Sequence, residues 1–168
     1  MMLAVFCTAT TVSQPASAAT ERNRYTHDAC SGSNAVCGVI VYGNAGGYVV
    51  DNVHMQAKGS QPSGVQTHPA CSGVDTAFKD SLNLGQYDTF VLPANCAYKL
   101  KINIAAGNKK DHDLFLTPGC QIETKTDGTT LSNKWHMSVK WTDKAKQAGA
   151  SGTVQDKDGH KCGKLGKI

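Results

Sequence analysis

Apolar and polar positions alternate with period two along much of the chain. In residues 97–106, Tyr98, Leu100, Ile102 and Ile104 share one face, while Lys99, Lys101 and Asn103 share the other. In Asn133–Trp141, Trp135, Met137, Val139 and Trp141 oppose Lys134, His136, Ser138 and Lys140. Alternation of this kind marks half-buried strands of an antiparallel sheet. Runs at 36–42, 48–56 and 87–92 are rich in β-branched and aromatic residues and read as further strands.

Residues 97–106 pair naturally with residues 113–120 across a turn at 107–111. Setting Ile102 opposite Leu114 and Leu100 opposite Leu116 also sets Cys96 opposite Cys120 on the same face, within disulfide reach. A Thr117-Pro118-Gly119 stretch suits a type II turn, where the chain can instead bend away to a new sheet. The next hairpin joins residues 120–126 to Asn133–Trp141 across Asp127-Gly128, with Ile122 facing Val139 and Thr124 facing Met137. Three such strands in a meander bury one shared face. Val74, Phe78 and Leu82 recur at four-residue spacing and predict one short helix over 74–84. Residues 142–152 read as a frayed helix or loop, and 154–158 as a final edge strand. Gly59, Pro62, Gly64 and Pro69 make 58–70 a long exposed loop. The sum is an all-β fold: a compact antiparallel β-sandwich or small barrel of about six to eight strands, with at most one short helix.

A chain of 168 residues suits one domain. Its start changes the picture. An apolar run from Leu3 and the small-x-small motif Ala16-Ser17-Ala18 read residues 1–19 as a secretory signal peptide, cut after Ala18 or Ala19. That leaves 20–168 as a single β-rich domain with a Lys-rich C-terminal segment, expected to be secreted and extracellular. No stretch is long and apolar enough for a transmembrane segment. Of seven cysteines, all but Cys7 lie beyond the signal, and an even set in a small secreted chain reads as a disulfide framework. Short spacing pairs Cys30 with Cys37, the hairpin register pairs Cys96 with Cys120, and Cys71–Cys162 remains. With no Cys-x-x-Cys, and His160-x-Cys162 standing alone, neither a metal site nor a cofactor is expected.

Charge is uneven. The formal net charge is +4, but residues 1–100 carry five basic and six acidic side chains, whereas 101–168 carry twelve and seven. Lys140, Lys144, Lys146, Lys157, Lys161, Lys164 and Lys167 form a candidate polyanion contact; a solvated tail is the plainer account, because Asp143, Asp156 and Asp158 are interleaved with them.

Candidate chemistry is sparse. Glu123, His136 and His54 lie on predicted strands, and Glu123 has His136 and Lys140 as diagonal neighbours. A carboxylate, a histidine and a lysine can cleave RNA by moving the 2′-hydroxyl proton, protonating the leaving oxygen and steadying the phosphate. A solvated sheet face explains the same residues. Lys109, Lys110, Asp111 and His112 gather at the predicted tip of the main hairpin, and Gln66 and His68 lie in the long loop; both are candidate partner contacts, against charged turns that only aid solubility. Asp156-Lys157-Asp158-Gly159 lacks the further ligands of a calcium loop. Nucleophile-elbow, phosphate-loop and dinucleotide motifs do not occur. Tyr42, Tyr48, Tyr87, Tyr98, Trp135 and Trp141 offer a stacking surface for sugars, or core packing.

The signal ending Ala16-Ser17-Ala18-Ala19, six mature cysteines and a compact β-rich body together resemble, in general style, the small secreted cysteine-rich effectors and toxins that fungi release at a host surface. The same style fits bacterial secreted proteins and inhibitors. The resemblance implies a non-enzymatic protein that binds an extracellular or host protein, such as a protease. The residues leave two other readings open: a secreted basic ribonuclease, and a carbohydrate or cell-wall binding module.

Overall fold

A computed structural model describes residues 19–32, 36–106, 108–156 and 159–165. The expected signal peptide, most of which is residues 1–18, lies outside the described residues. Among those described, the elements are β1 (Thr20–Thr26), β2 (Cys37–Asn44), β3 (Val50–Ala57), β4 (Asp75–Phe78), β5 (Gln86–Pro93), β6 (Cys96–Ile104), β7 (Asn108–Leu116), β8 (Cys120–Gly128), β9 (Asn133–Trp141), α1 (Asp143–Gln147) and β10 (Gly163–Lys164). Single 3-10 turns occupy Asp28–Cys30 and Pro69–Gly73.

The strands form two five-stranded sheets, ordered β1-β5-β2-β8-β9 and β10-β7-β6-β3-β4. Neighbours are antiparallel except β1–β5 and β2–β8, which are parallel. The expected all-β sandwich is therefore present, with mixed pairing in the first sheet. Its core interleaves Ile40, Phe90, Leu92 and Ile122 of the first sheet with Val53, Met55, Leu100, Ile102, Leu114 and Leu116 of the second. Tyr42, Tyr48 and Tyr98 are also buried, and Trp135 and Trp141 pack partly buried against the core, so of the supposed stacking surface five of six residues serve packing.

Several expectations are corrected. The β8–β9 register is as expected, with Ile122 opposite Val139 and Thr124 opposite Met137. The β6–β7 register is not: Leu114 faces Tyr98 and Leu116 faces Cys96, four residues from the expected pairing. A slip by an even number keeps every apolar residue on the same face, so the hydrophobic pattern alone cannot exclude it. Charge decides here, because Lys99 falls opposite Asp113 and Lys101 opposite Asp111. The turn is also tighter than expected, with Ala106 in the left-handed region at φ 73° and β7 already running from Asn108. No three-strand meander forms. At Thr117–Gly119 the chain crosses to the other sheet, with Gly119 at φ 69°.

Cys96 consequently never meets Cys120. The bonds are Cys30–Cys37, as expected, and Cys71–Cys96 and Cys120–Cys162, which replace Cys96–Cys120 and Cys71–Cys162. The expected helix over 74–84 is instead strand β4 followed by a loop in which Leu82 bridges Val50. Four-residue spacing returns to one face in a strand as well as in a helix. Strand β1, with Tyr25 its only large apolar side chain, was not legible, because an edge strand need not alternate strongly. Beyond Val154, Gln155 makes only an isolated bridge to Lys161, and Lys157 and Asp158 lie outside the described residues. The short helix α1 agrees with the frayed helix expected there; Thr142 caps it by accepting from the Ala145 N–H at 3.2 Å.

The sandwich has two unlike ends. All three disulfides sit at one, where β2, β6 and β8 begin. The opposite end is made of residues 45–49, 79–85, 105–106 and 128–132, with no disulfide among its described residues. Backbone hydrogen bonds knit it: Ala45 N–H to Thr126 O, Gly47 N–H to Gly128 O, Gly85 N–H to Asn44 O and Ala105 N–H to Val49 O. Asn108 also donates to the Thr130 carbonyl.

At the stapled end Gly38 lies directly under Leu116. A Cβ on Gly38 would sit 2.8 Å from the Leu116 side chain and 2.8 Å from the Cys120 carbonyl oxygen. Gly38→Ala is expected to lower stability by about 1–3 kcal/mol in denaturant unfolding; an unchanged midpoint would mean Leu116 is not seated on β2. Non-reducing peptide mapping is expected to recover Cys71–Cys96 and Cys120–Cys162. A Cys96–Cys120 peptide would contradict the crossover between sheets.

Candidate functional site

The residues first suspected of nuclease chemistry do not converge. Glu123 on β8 and His136 on β9 share the outer face of the first sheet, and both line a shallow depression of about 270 Å³ with Lys125 and Ser138. Glu123 is engaged: it pairs with Lys140 Nζ at 2.5 Å and accepts from Gln121 Nε2 at 2.7 Å. His136 Nε2 lies 2.8 Å from Asp127 Oδ2. His54 is on β3, on the outer face of the other sheet, 2.5 Å from Asp75 Oδ1. The structure thus brings two of the three residues together and sends the third across the sandwich.

The supposed hairpin-tip group is also divided. Because β7 starts at Asn108, Lys109, Lys110, Asp111 and His112 are strand residues. Lys109 and Asp111 point outward and are exposed, whereas Lys110 and His112 turn towards the first sheet and are half-buried. Gln66 is exposed in the long loop. His68 caps the turn after it, accepting from the Ala70 N–H at 3.1 Å, and lines a cleft of about 380 Å³ with Lys58, Gln61 and Cys71. Three of the C-terminal lysines, Lys140, Lys146 and Lys161, line one shallow depression of about 420 Å³, where Lys140 pairs with Glu123, and Lys146 with Asp143 at 3.5 Å. No group of three His, Cys, Asp or Glu residues able to hold a metal occurs among the described residues. Nor is any described helix long and apolar enough to cross a membrane.

Two features were missed. The first is the end without disulfides, called the open end below. Leu131 is 91% exposed and Leu84 is 65% exposed, and both stand there, on loops at the ends of β8 and β5, which flank β2. Neither is on a loose strand of chain. Leu131 lies in a turn closed by Thr129 N–H to Ser132 O at 2.9 Å and Ser132 N–H to Thr129 O at 3.2 Å. Leu84 is flanked by Asn83, whose N–H donates to Gln86 Oε1 at 2.8 Å, and by Gly85, at φ 79°. Beside Leu84 a cleft of about 450 Å³ is lined by Gly43, Tyr87 and Lys125 among others. Burying a leucine is worth about 1.5–3 kcal/mol, a gain that both side chains forgo in this fold. A lone leucine in a polar turn gives no periodic signal, which is why they were overlooked.

The second feature is internal. Asp88 of β5 points into the core and is fully buried; Asn23 Nδ2 donates to its Oδ1 at 3.0 Å, while Oδ2 has no partner. Burial pushes its carboxyl up to about 6, against the lowering effect of Asn23. His112 stacks on Trp135 of β9 with ring centroids 3.9 Å apart, closing the seam between the two sheets. Burial, with Lys164 and Lys110 nearby, pushes its imidazole down to about 4.

No protein-family model matches the chain, and no curated protein does. Some solved structures overlap it in part. Suilysin, a cytotoxin protein from Streptococcus suis, is 17% identical over 64% of this chain and 24% of its own, with a TM-score of 0.42. The membrane-binding domain of pneumolysin is 19% identical over 64% of this chain and 99% of its own, with a TM-score of 0.41. A non-hemolytic pneumolysin from Streptococcus pneumoniae strain ST306 is 19% identical over 64% and 24%, also at 0.41. The chain spans about a quarter of the length of suilysin. Overlap at this level carries nothing about activity.

The two internal groups pull stability in opposite directions with pH. For Asp88 the folded value lies above the ordinary carboxyl value, so its contribution is full at acid pH and is lost as pH rises through about 6. Asp88→Asn is expected to raise stability at pH 7 by on the order of 1 kcal/mol, with the gain shrinking towards pH 4; a loss at pH 7 would mean the carboxylate is stabilising. For His112 the folded value lies below the ordinary imidazole value, so its contribution is full above pH 6.5 and is lost as pH falls towards about 4. His112→Phe keeps the stack on Trp135 and is expected to flatten the acid limb of the melting profile. An identical acid limb would contradict this role.

Proposed function

We propose that this chain is a secreted, non-enzymatic binding protein of effector, inhibitor or toxin type, which engages an extracellular target with its open end. The observation that carries the reading is the outward display of Leu84 and Leu131 on two ordered turns at one end of the sandwich, both more exposed than Val36 at the other end, which is 44% exposed. Apolar anchors set among polar residues are what a contact surface needs. Three disulfides support an oxidising environment. The non-enzymatic part rests on the placement of His54 across the sandwich from Glu123 and His136 and on the engagement of Glu123 by Lys140.

The test is retention of the labelled, oxidised protein by a panel of intact cells. Leu84→Ser with Leu131→Ser is expected to cut retention at least about tenfold, while stability stays within about 0.5 kcal/mol because both side chains are exposed. Val36→Ser, at the stapled end, is the control. Equal retention of the double variant and its parent would defeat this placement. RNA cleavage that vanishes in His136→Ala would defeat the non-enzymatic reading and make the outer face of the first sheet the site.

A further inference from the structure

We infer that the open end docks on an anionic lipid surface, inserting Leu84 and Leu131 at the headgroup level while surrounding lysines hold the charge. The inference rests on the open-end reading above and names its target. Two observations favour lipid over a protein pocket. The leucines stand on separate turns rather than in one continuous apolar patch, whereas a protein partner's hot spot needs a packed, desolvated centre.

The second observation is the charge around them. Lys79, Lys109, Lys125 and Lys134 are exposed on the segments and strand ends that frame the open end, and none makes an ion pair among the described residues. Elsewhere the lysines are mixed: Lys58 and Lys99 pair with Asp113, Lys140 with Glu123 and Lys146 with Asp143, whereas Lys101, Lys161 and Lys164 make no ion pair among the described residues. The acidic residues at the open end are Glu21, Asp51, Asp80, Asp111 and Asp127, of which Glu21 is engaged by Arg24, Asp111 by Lys99 at 4.0 Å and Asp127 by His136. The excess of unpaired lysine is complementary to a negative surface, and each lysine near such a surface adds to the attraction. Apolar insertion and charge act together, since neither a few lysines nor two leucines alone give stable attachment. The closed turns at Leu131 and Leu84 hold both side chains outward before contact, so little ordering is required on docking.

The experiment is co-sedimentation of the full oxidised protein with phosphatidylcholine vesicles, with and without about one-third phosphatidylserine. Binding is expected to the anionic vesicles, to weaken as salt is raised, and to fall about tenfold in each of Leu84→Ser and Leu131→Ser, with Val36→Ser unchanged. Lys125→Glu with Lys134→Glu is expected to reduce it as well. Failure to bind anionic vesicles would overturn the lipid assignment. So would vesicle binding that the double leucine variant retains in full. If cells hold the parent but not the double leucine variant, and vesicles hold neither, the target is not lipid and the open-end reading stands. If the double variant is held by cells as well as its parent, the open-end reading itself has failed.

Discussion

Everything in this fold depends on how closely β2 can approach the side chain of Leu116. Leu116 ends β7, and within four residues the chain must leave the second sheet and begin β8 in the first, beside β2. That is possible because Gly38 has no Cβ to strike Leu116 or the Cys120 carbonyl. The crossing commits the neighbouring strands in turn. Once β8 lies parallel to β2, β9 follows as its antiparallel neighbour and becomes the edge of the first sheet. Cys120 is then carried away from Cys96 and towards the C-terminal segment, where it meets Cys162. The disulfide pairing is a consequence of this crossover rather than a cause of it.

The crossover also makes the two ends of the sandwich unlike. The tight connections β5–β6 and β7–β8 lie at the stapled end, and all three disulfides collect around them. Constraint there reduces the entropy of the unfolded chain. At the open end, order comes from backbone hydrogen bonds between loops, together with Asn44, whose Nδ2 donates to the carbonyls of Tyr48 and Leu82. Hydrogen bonds of this kind hold the loop backbones while leaving their outer side chains free. The stapled end therefore serves the fold, and the open end can present Leu84 and Leu131 without endangering it.

Inside, two titratable groups sit where they cost stability. Asp88 lies in the core because β1, a weakly apolar edge strand, needs a polar partner for Asn23, and the pair occupies one inward position of each strand. His112 closes the seam between β7 and β9 by stacking on Trp135, so neutral imidazole suits the joint better than imidazolium. Both show a marginal edge of the sandwich being completed by polar side chains where apolar ones were not supplied.

Much of this was legible in residue order. Alternation in β6 and β9 marked both strands and their buried faces, and the β8–β9 register followed from matching Ile122 to Val139. The number and spacing of cysteines pointed to a stapled domain, and Cys30–Cys37 followed from proximity alone. Period-two patterning fixes which face is buried, because that depends only on near neighbours along the strand. It does not say which sheet a strand joins, nor does it separate registers that differ by an even number of residues. Those were decided in three dimensions, by the Lys99–Asp113 pairing, the crossing at Thr117–Gly119 and the space over Gly38. The same limit hid the open end. Leu84 and Leu131 are far apart along the chain, each is alone in a polar turn, and only the strand order of the first sheet, with β2 between β5 and β8, brings their loops to one end.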